Sequence, residues 1–368
     1  MASWRNWLLQ PEPSWSARCL RTLLRACSGF HWVAVTARNR AYDYGWFRAR
    51  RLDIPVICVG NLTVGGTGKT PTVAWLARWF RQRHCRVAIL SRGYGQLAND
   101  GRNDEALELE LSLPDVPHLQ NPDRYAAGVL AQDELDMQLV LLDDGFQHRR
   151  LARDLDIVVV DATDPPAAHW LLPGGLMREP WSGLRRAGVV LLSRTHLVEP
   201  NQLAMLEQRV ARWAPGVPCL RTWYEVRGLH GNHSPLRSLC QLQGQQVLVV
   251  CAIGNPTAFA ATLRQHGLQI ADQRFFPDHH AFSADDVASL SLWAETHPEC
   301  AAIVCTMKDW VKLQTPRIGG LPLVALQIEL AITETDRAEL EKCLHRLLER
   351  CTQDENASAI ATCGEPAT

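Results

Sequence analysis

Val56-Ile-Cys-Val-Gly-Asn-Leu-Thr-Val-Gly-Gly-Thr-Gly-Lys-Thr70 decides the architecture of this chain. The apolar run Val56 to Val59 reads as a buried parallel strand. Glycines and small residues then lead to Lys69-Thr70 and a helical stretch from Thr72 to Arg83. Strand, loop and helix in that order make a phosphate-binding loop. Thr63, Val64, Gly65, Gly66, Thr67 and Gly68 supply backbone N–H groups that can close on phosphate oxygens, and the helix start adds partial positive charge. Lys69 is placed to reach the outer phosphates and Thr70 to meet Mg²⁺. The usual first glycine, five positions before Gly68, is Thr63, so the loop is a variant. The flanking strand and helix favour a nucleoside triphosphate site over a glycine-rich turn without ligand.

The 368 residues suffice for two domains with cores of their own, and a net charge of −1 argues against general nucleic-acid binding. The twelve cysteines are scattered, without a signal peptide or C-x-x-C spacing, which points to reduced thiols rather than disulfides or a metal cluster. No stretch is apolar enough over ~18 residues to span a bilayer. Positive charge concentrates early: Arg5, Arg18, Arg21, Arg25, Arg38, Arg40, Arg48 and Arg50 face only Glu12 and Asp43.

Residues 14–37 carry Leu20, Leu23, Leu24 and Cys27 at helical spacing, with Arg18, Arg21 and Arg25 on another face and tryptophans throughout. Such an arm (residues 1–45) suits the headgroup layer of an anionic membrane. The same pattern also fits a helix docked on the protein's own core, and periodicity alone does not choose between them.

Further strands are expected at 86–90, 138–142, 156–160 and 188–192, each ending in polar residues: Ser91-Arg92, Asp143-Asp144, Asp161 and Ser193-Arg194. Helical patterns alternate with them, so the fold class is α/β, with a phosphate-loop core and a mostly parallel sheet over 46–220. A second, smaller α/β domain is expected over 221–350, then a disordered polar tail over 351–368. The stretch 96–123 reads as a long loop.

Leu139-Val-Leu-Leu-Asp-Asp-Gly145 buries a strand and leaves a carboxylate at its tip to hold Mg²⁺. The second carboxylate and Phe146-Gln147-His148 exceed what nucleotide binding needs and can serve an acceptor. Transfer to a hydroxyl also needs an orienting base. Asp104-Glu105 and Phe276-Pro-Asp-His-His280 offer candidates, although solvated loop acids and a surface histidine pair fit those residues too. In Leu172-Pro-Gly-Gly-Leu-Met-Arg-Glu-Pro180, Arg178-Glu179 supply either a phosphate contact and a metal ligand or a surface ion pair.

Together with Gly60 to Pro71, Ser91-Arg-Gly-Tyr-Gly95, Phe276-Pro-Asp-His279 and Lys308-Asp309, these segments resemble the tetraacyldisaccharide 4'-kinase family. The resemblance runs in order from about residue 12 to residue 345, and Thr63 is itself the family's form of the loop. It implies ATP-dependent phosphorylation of the 4'-hydroxyl of tetraacyldisaccharide 1-phosphate in lipid A biosynthesis, forming lipid IVA. It also implies a peripheral, monotopic enzyme at the cytoplasmic face of the bacterial inner membrane. No nucleic acid and no obligate protein partner are inferred. On the same resemblance, Lys69 and Thr70 hold phosphate and Mg²⁺, Asp143, Asp144 and Glu179 are metal-side acids, and Asp104 with His279 form the base pair. Asn103-Asp-Glu-Ala106 lacks the glycine and proline of the family's acidic motif. Arg92, Tyr94, Arg124, Gln147 and His148 match residues that meet the acceptor.

A partitioning-type switch ATPase shares the Gly-Gly-x-Gly-Lys-Thr core, but its extra lysine is replaced here by Thr63 and Val64. A soluble small-metabolite kinase leaves the amphipathic arm without a role, and a non-enzymatic membrane module leaves the phosphate loop without one.

Overall fold

The computed structural model describes residues 7–8, 14–93, 104–231, 234–237, 239–278 and 280–362. Helix α1 (Trp15–Asp43) precedes strand β1 (Val56–Asn61), α2 (Lys69–Arg81), β2 (Val87–Ser91), α3 (Asp104–Ser112) and β3 (His118–Gln120). Next come α4 (Arg124–Asp133), β4 (Leu139–Asp143), β5 (Leu155–Asp161), β6 (Val189–Ser193), α5 (Pro200–Trp213), β7 (Cys219–Gly231) and β8 (Ser234–Arg237). Strand β9 (Gln246–Cys251), α6 (Pro256–Gln265), β10 (Gln269–Phe275), α7 (Ala284–Glu295) and β11 (Ala302–Thr306) follow. The chain closes with α8 (Met307–Leu313), β12 (Arg317–Ile318), β13 (Leu321–Ile332) and α9 (Glu334–Thr362).

Two compact units result. One comprises Leu8–Gly93, Ser112–Trp223 and Leu330–Thr368; the other comprises Met1–Trp7, Tyr94–Leu111 and Tyr224–Glu329. A single cut near residue 220 therefore does not capture the second unit, which also takes residues 94–111 from the middle of the chain.

In the first unit the strand order is β7-β6-β5-β1-β4-β2-β3, with every pairing parallel. Strand β1 lies between β4 and β5, with Val59 opposite Asp143 and Ile157. Its six residues are all buried, as expected of a central strand covered on both faces. Val73, Leu76, Ala77 and Phe80 bury the inner side of α2. Helix α9 docks on the same unit through Leu340, Leu344 and Leu347, with Glu341 accepting from Trp79 Nε1 at 2.9 Å. It continues to Thr362, past residue 351 where a disordered tail is expected from composition.

Helix α1 packs with its polar side inward. Ser28 Oγ donates to Leu171 O at 2.7 Å and accepts from Gly174 N at 3.1 Å. A Cβ at Gly174 would lie 2.7 Å from Arg25 Cα, so only glycine lets the helix approach this closely. Leu20, Leu23, Phe30 and Val33 remain exposed. No helix among the described residues is long and apolar enough to cross a membrane, and no described cysteine is in a disulfide.

In the second unit β10-β9-β11-β13 run parallel, and β7 extends the order beyond β13. Alternate residues feed two cores. Leu248, Val250, Ile303, Cys305, Leu323 and Ala325 enter one; Val247, Val249, Ala302, Val304, Val324 and Leu326 enter the other. The stretch expected to be a long loop contains α3 and β3. Ala106 and Leu109 are buried at helical spacing, while Asp104 and Glu105 sit in the first turn, where the helix dipole favours acids. Their apolar periodicity is short, and the four acidic residues between 104 and 110 make the stretch read as a solvated run.

Candidate active site

The phosphate loop leaves the C-terminal end of β1 and enters α2. Gly68 precedes the helix with φ 96°, a left-handed conformation that only glycine adopts without strain. Thr63 needs no such freedom, because its backbone bridges to Met177, with Val64 N bonded to Leu176 O at 2.8 Å. The position of the missing glycine is thus a strand-like contact with the 172–180 segment. Gly65 and Gly66 are exposed, Val64 and Gly68 half-buried, and Thr67, Lys69 and Thr70 buried.

Lys69 Nζ lies 3.5 Å from Asp144 Oδ1. Asp144 follows β4 with φ 53° and also accepts from Arg178 Nη1 at 2.8 and 3.0 Å. Burial opposes ionisation of Asp144, but Lys69 and Arg178 outweigh it and hold its carboxyl below the usual range. Gln147 Nε2 donates to Asn61 O at 2.9 Å, and Gln147 Oε1 faces Arg178 Nη1 at 3.4 Å. The loop lysine, a strand-end acid and the 172–180 segment therefore form one ionic cluster, with two cations on a single carboxylate.

Asp143 and Glu179 are both almost fully buried. Glu179 Oε2 accepts from Asn39 Nδ2 at 3.0 Å and Arg186 Nη2 at 2.9 Å. Its Oε1 is buried and has no hydrogen-bond partner among the described residues. A buried carboxylate oxygen in that position calls for a cation or a proton. Thr70 and Asp143 lie in the same unit and offer oxygen, the kind of donor a hard cation takes, but among the described residues no group of three or more His, Cys, Asp or Glu is gathered closely enough to hold a metal ion.

His148 is surrounded by positive charge. Burial, then Arg124, Arg150, Arg153 and Arg38, push its pKa down to about 4. Arg124 is buried at the start of α4, with Nη1 donating to Pro122 O at 3.2 Å. Arg92 is exposed just beyond β2. Tyr94 lies outside the described residues.

Asp104 opens α3 in the second unit and is buried. Lys312 Nζ approaches its Oδ2 at 3.9 Å and Asp309 Oδ1 at 3.0 Å. Asp309 is itself fixed by Ala252 N at 3.1 Å and Thr306 Oγ1 at 2.7 Å. Lys308 pairs with Glu105 at 2.8 Å. Two lysines four residues apart on α8 thus face consecutive acids on α3, Lys308 closely and Lys312 at longer range. His279 lies outside the described residues. Its neighbour His280 stacks on Phe276 and contacts Asp286 at 2.9 Å.

Several residues of this site carried no role on sequence grounds. Asn39, Arg38 and His31 come from α1, donating to Glu179 and Gln147 O and meeting Arg178 O at 3.0 Å. Asn61, Asp161, Ser193 and Arg194 stand at strand ends around the loop. Polar residues ending buried strands were the available signal; nothing in the linear spacing of α1 pointed to Glu179.

Residues 20–349 match the family described as Tetraacyldisaccharide-1-P 4'-kinase, LpxK. The chain is 36% identical over 367 residues to the tetraacyldisaccharide 4'-kinase of Geobacter sulfurreducens, covering 94% of this chain and 98% of that protein. To the enzyme of the same name from Anaeromyxobacter sp. strain K it is 40% identical over 297 residues, covering 76% and 78%. Among solved structures, LpxK from Aquifex aeolicus in complex with ATP is similar, with a TM-score of 0.72 at 29% identity, covering 89% of this chain and 99% of that one.

Proposed function

The chain belongs to the tetraacyldisaccharide 4'-kinase family, and from that premise we propose how its own residues divide the family's reaction. The enzyme is an ATP-dependent kinase of lipid A biosynthesis that phosphorylates the 4'-hydroxyl of tetraacyldisaccharide 1-phosphate. This reading stands against a switch ATPase or a small-metabolite kinase on the family match over residues 20–349.

In the proposed division the amides of Gly65, Gly66 and Gly68 and the start of α2 grip the phosphates, the Val64 and Thr67 amides being bonded to Leu176 O and Gly65 O, and Lys69 offsets charge on the transferring group. Asp144, itself anchored by Arg178, holds the Lys69 ammonium at the loop, which keeps a flexible side chain from searching solvent. Thr70, Asp143, Asp144 and Glu179 would hold Mg²⁺, which when bound supplies further positive charge against the phosphates. Asp104 with His279 would align the sugar hydroxyl and take its proton. Arg92, Tyr94, Arg124, Gln147 and His148 would receive the acceptor's sugar and phosphate. The arginine-ringed environment of His148 supports an anionic ligand there.

We place the enzyme peripherally on the cytoplasmic face of the inner membrane. The support is α1, whose exposed side carries Leu20, Leu23, Phe30 and Val33 beside Arg18 and Arg40. Four such side chains can contribute on the order of 5 kcal/mol on burial in acyl chains, and each arginine near an anionic surface about 1 kcal/mol.

The observation that carries the reading is the Lys69–Asp144–Arg178 cluster at the end of a phosphate loop. Transfer of label from γ-labelled ATP to the disaccharide 1-phosphate tests it. Lys69→Ala should lower turnover by roughly 10²–10³-fold with the thermal midpoint retained, since Asp144 keeps Arg178. Near-normal turnover of that variant would remove Lys69 from the reaction.

A further inference from the structure

Two side chains at the tip of β6 hold the outside of the phosphate loop. Ser193, fully buried, donates from Oγ to Thr67 O at 2.8 Å. Arg194 donates from Nη2 to Gly66 O at 3.0 Å and pairs through Nη1 with Asp161, the last residue of β5. Arg194 adopts φ 58°, a left-handed conformation uncommon for a side chain of its size. From the other side of the loop, Asn61 Nδ2 donates to Thr67 Oγ1 at 3.1 Å.

In a trans peptide the C=O and the following N–H point to opposite sides. A hydrogen bond that draws Thr67 O outward therefore turns the Gly68 N–H inward. The bond to Gly66 O likewise fixes the preceding peptide, whose Thr67 N–H is spent on Gly65 O at 3.1 Å. Gly65, Gly66 and Gly68 leave this loop unusually free to rotate its peptides. Fixing two consecutive carbonyls removes that freedom before any phosphate arrives.

We propose that Ser193 and Arg194 are positioning residues that set the direction of the phosphate-loop amides, with Asp161 holding Arg194 in place. They act through the backbone of 66–68. The proposal rests on the reading that this loop binds ATP.

Ser193→Ala, Ser193→Thr, Arg194→Ala, Arg194→Lys and Asp161→Asn test it, with Mg-ATP affinity by calorimetry, steady-state constants and thermal midpoints measured for each. Ser193→Ala and Arg194→Ala should weaken ATP binding and lower the rate by about tenfold to a hundredfold. Ser193→Thr retains the hydroxyl and should restore most of the loss. Arg194→Lys keeps the charge but cannot join Asp161 and Gly66 O at once, so it should resemble Arg194→Ala. Asp161→Asn should resemble it too, and adding it to Arg194→Ala should cost little more. Rescue by Arg194→Lys would identify a simple charge contact and overturn the proposal. So would ATP affinity and turnover within twofold of wild type in both alanine variants, or a lowered midpoint with unchanged ATP constants. Failure of the wild-type protein to retain Mg-ATP would instead overturn the ATP reading itself.

Discussion

At the scale of single residues, environment sets which groups can exchange protons near pH 7. His148 is a clear case: burial and the arginines around it bring its pKa to about 4, so the ring stays neutral across the physiological range. The folded pKa is lower than the ordinary 6.5, so the fold favours the neutral ring. The stability this gives is present above pH 6.5 and is lost as pH falls from 6.5 through about 4. An NMR titration should show the His148 ring moving with a midpoint well below 6, and a phosphate-bearing ligand among the arginines should raise it. A midpoint at 6.5 would mean the guanidinium groups do not surround the ring. A change in kcat/KM between pH 6 and 8, which reports the free enzyme, consequently belongs to another group than His148.

Elements show how faces are assigned. On sequence, the leucines and arginines of α1 fit either a membrane surface or a docked helix. In the structure the polar side docks on the protein and the apolar side, with Leu20, Leu23, Phe30 and Val33, stays outward. Deleting the arm would also remove Asn39 from Glu179 and Arg38 from Gln147 O, so loss of activity in a truncated protein would not report on membranes. Leu23→Ser with Phe30→Ser should release the protein from anionic vesicles in co-sedimentation while solution activity on a detergent-dispersed acceptor persists. Unchanged co-sedimentation would count against α1 as the anchor. Helix α3 offers a second prediction. Burial, together with Glu105, Asp104 and Asp309, pushes the Glu108 carboxyl up to about 7 despite Lys308. Its folded pKa exceeds the ordinary 4.5, so its contribution to stability is present below pH 4.5 and declines as pH rises through 7. Glu108→Gln should flatten the fall in thermal midpoint between pH 5 and 8; a slope equal to wild type would show that the carboxyl is solvated.

For the whole molecule, the second unit gathers residues 94–111 and 224–329, and so takes both Asp104 and the Phe276–His280 segment. Asp104 and Phe276 to Asp278, the described residues just before His279, belong to the same compact unit. On the proposed roles, His279→Ala and Asp104→Asn should each lower the turnover number far more than they change ATP affinity. Measuring both constants separates the outcomes: a loss confined to nucleotide affinity would exclude the pair as the base.

Local chemistry alone determined the strand–loop–helix at 56–83, the acid at the end of β4 and the α/β class, because a phosphate loop uses contiguous backbone and a buried parallel strand is a contiguous apolar run. Folding decided what is non-contiguous. Thr63 is tolerated because Met177 bridges it, Glu179 is oriented by Asn39 from 140 positions away, and Asp104 is approached by Lys312 of α8. Those partners meet only through packing of separate elements, and no periodicity in one segment encodes which distant side chain will face it.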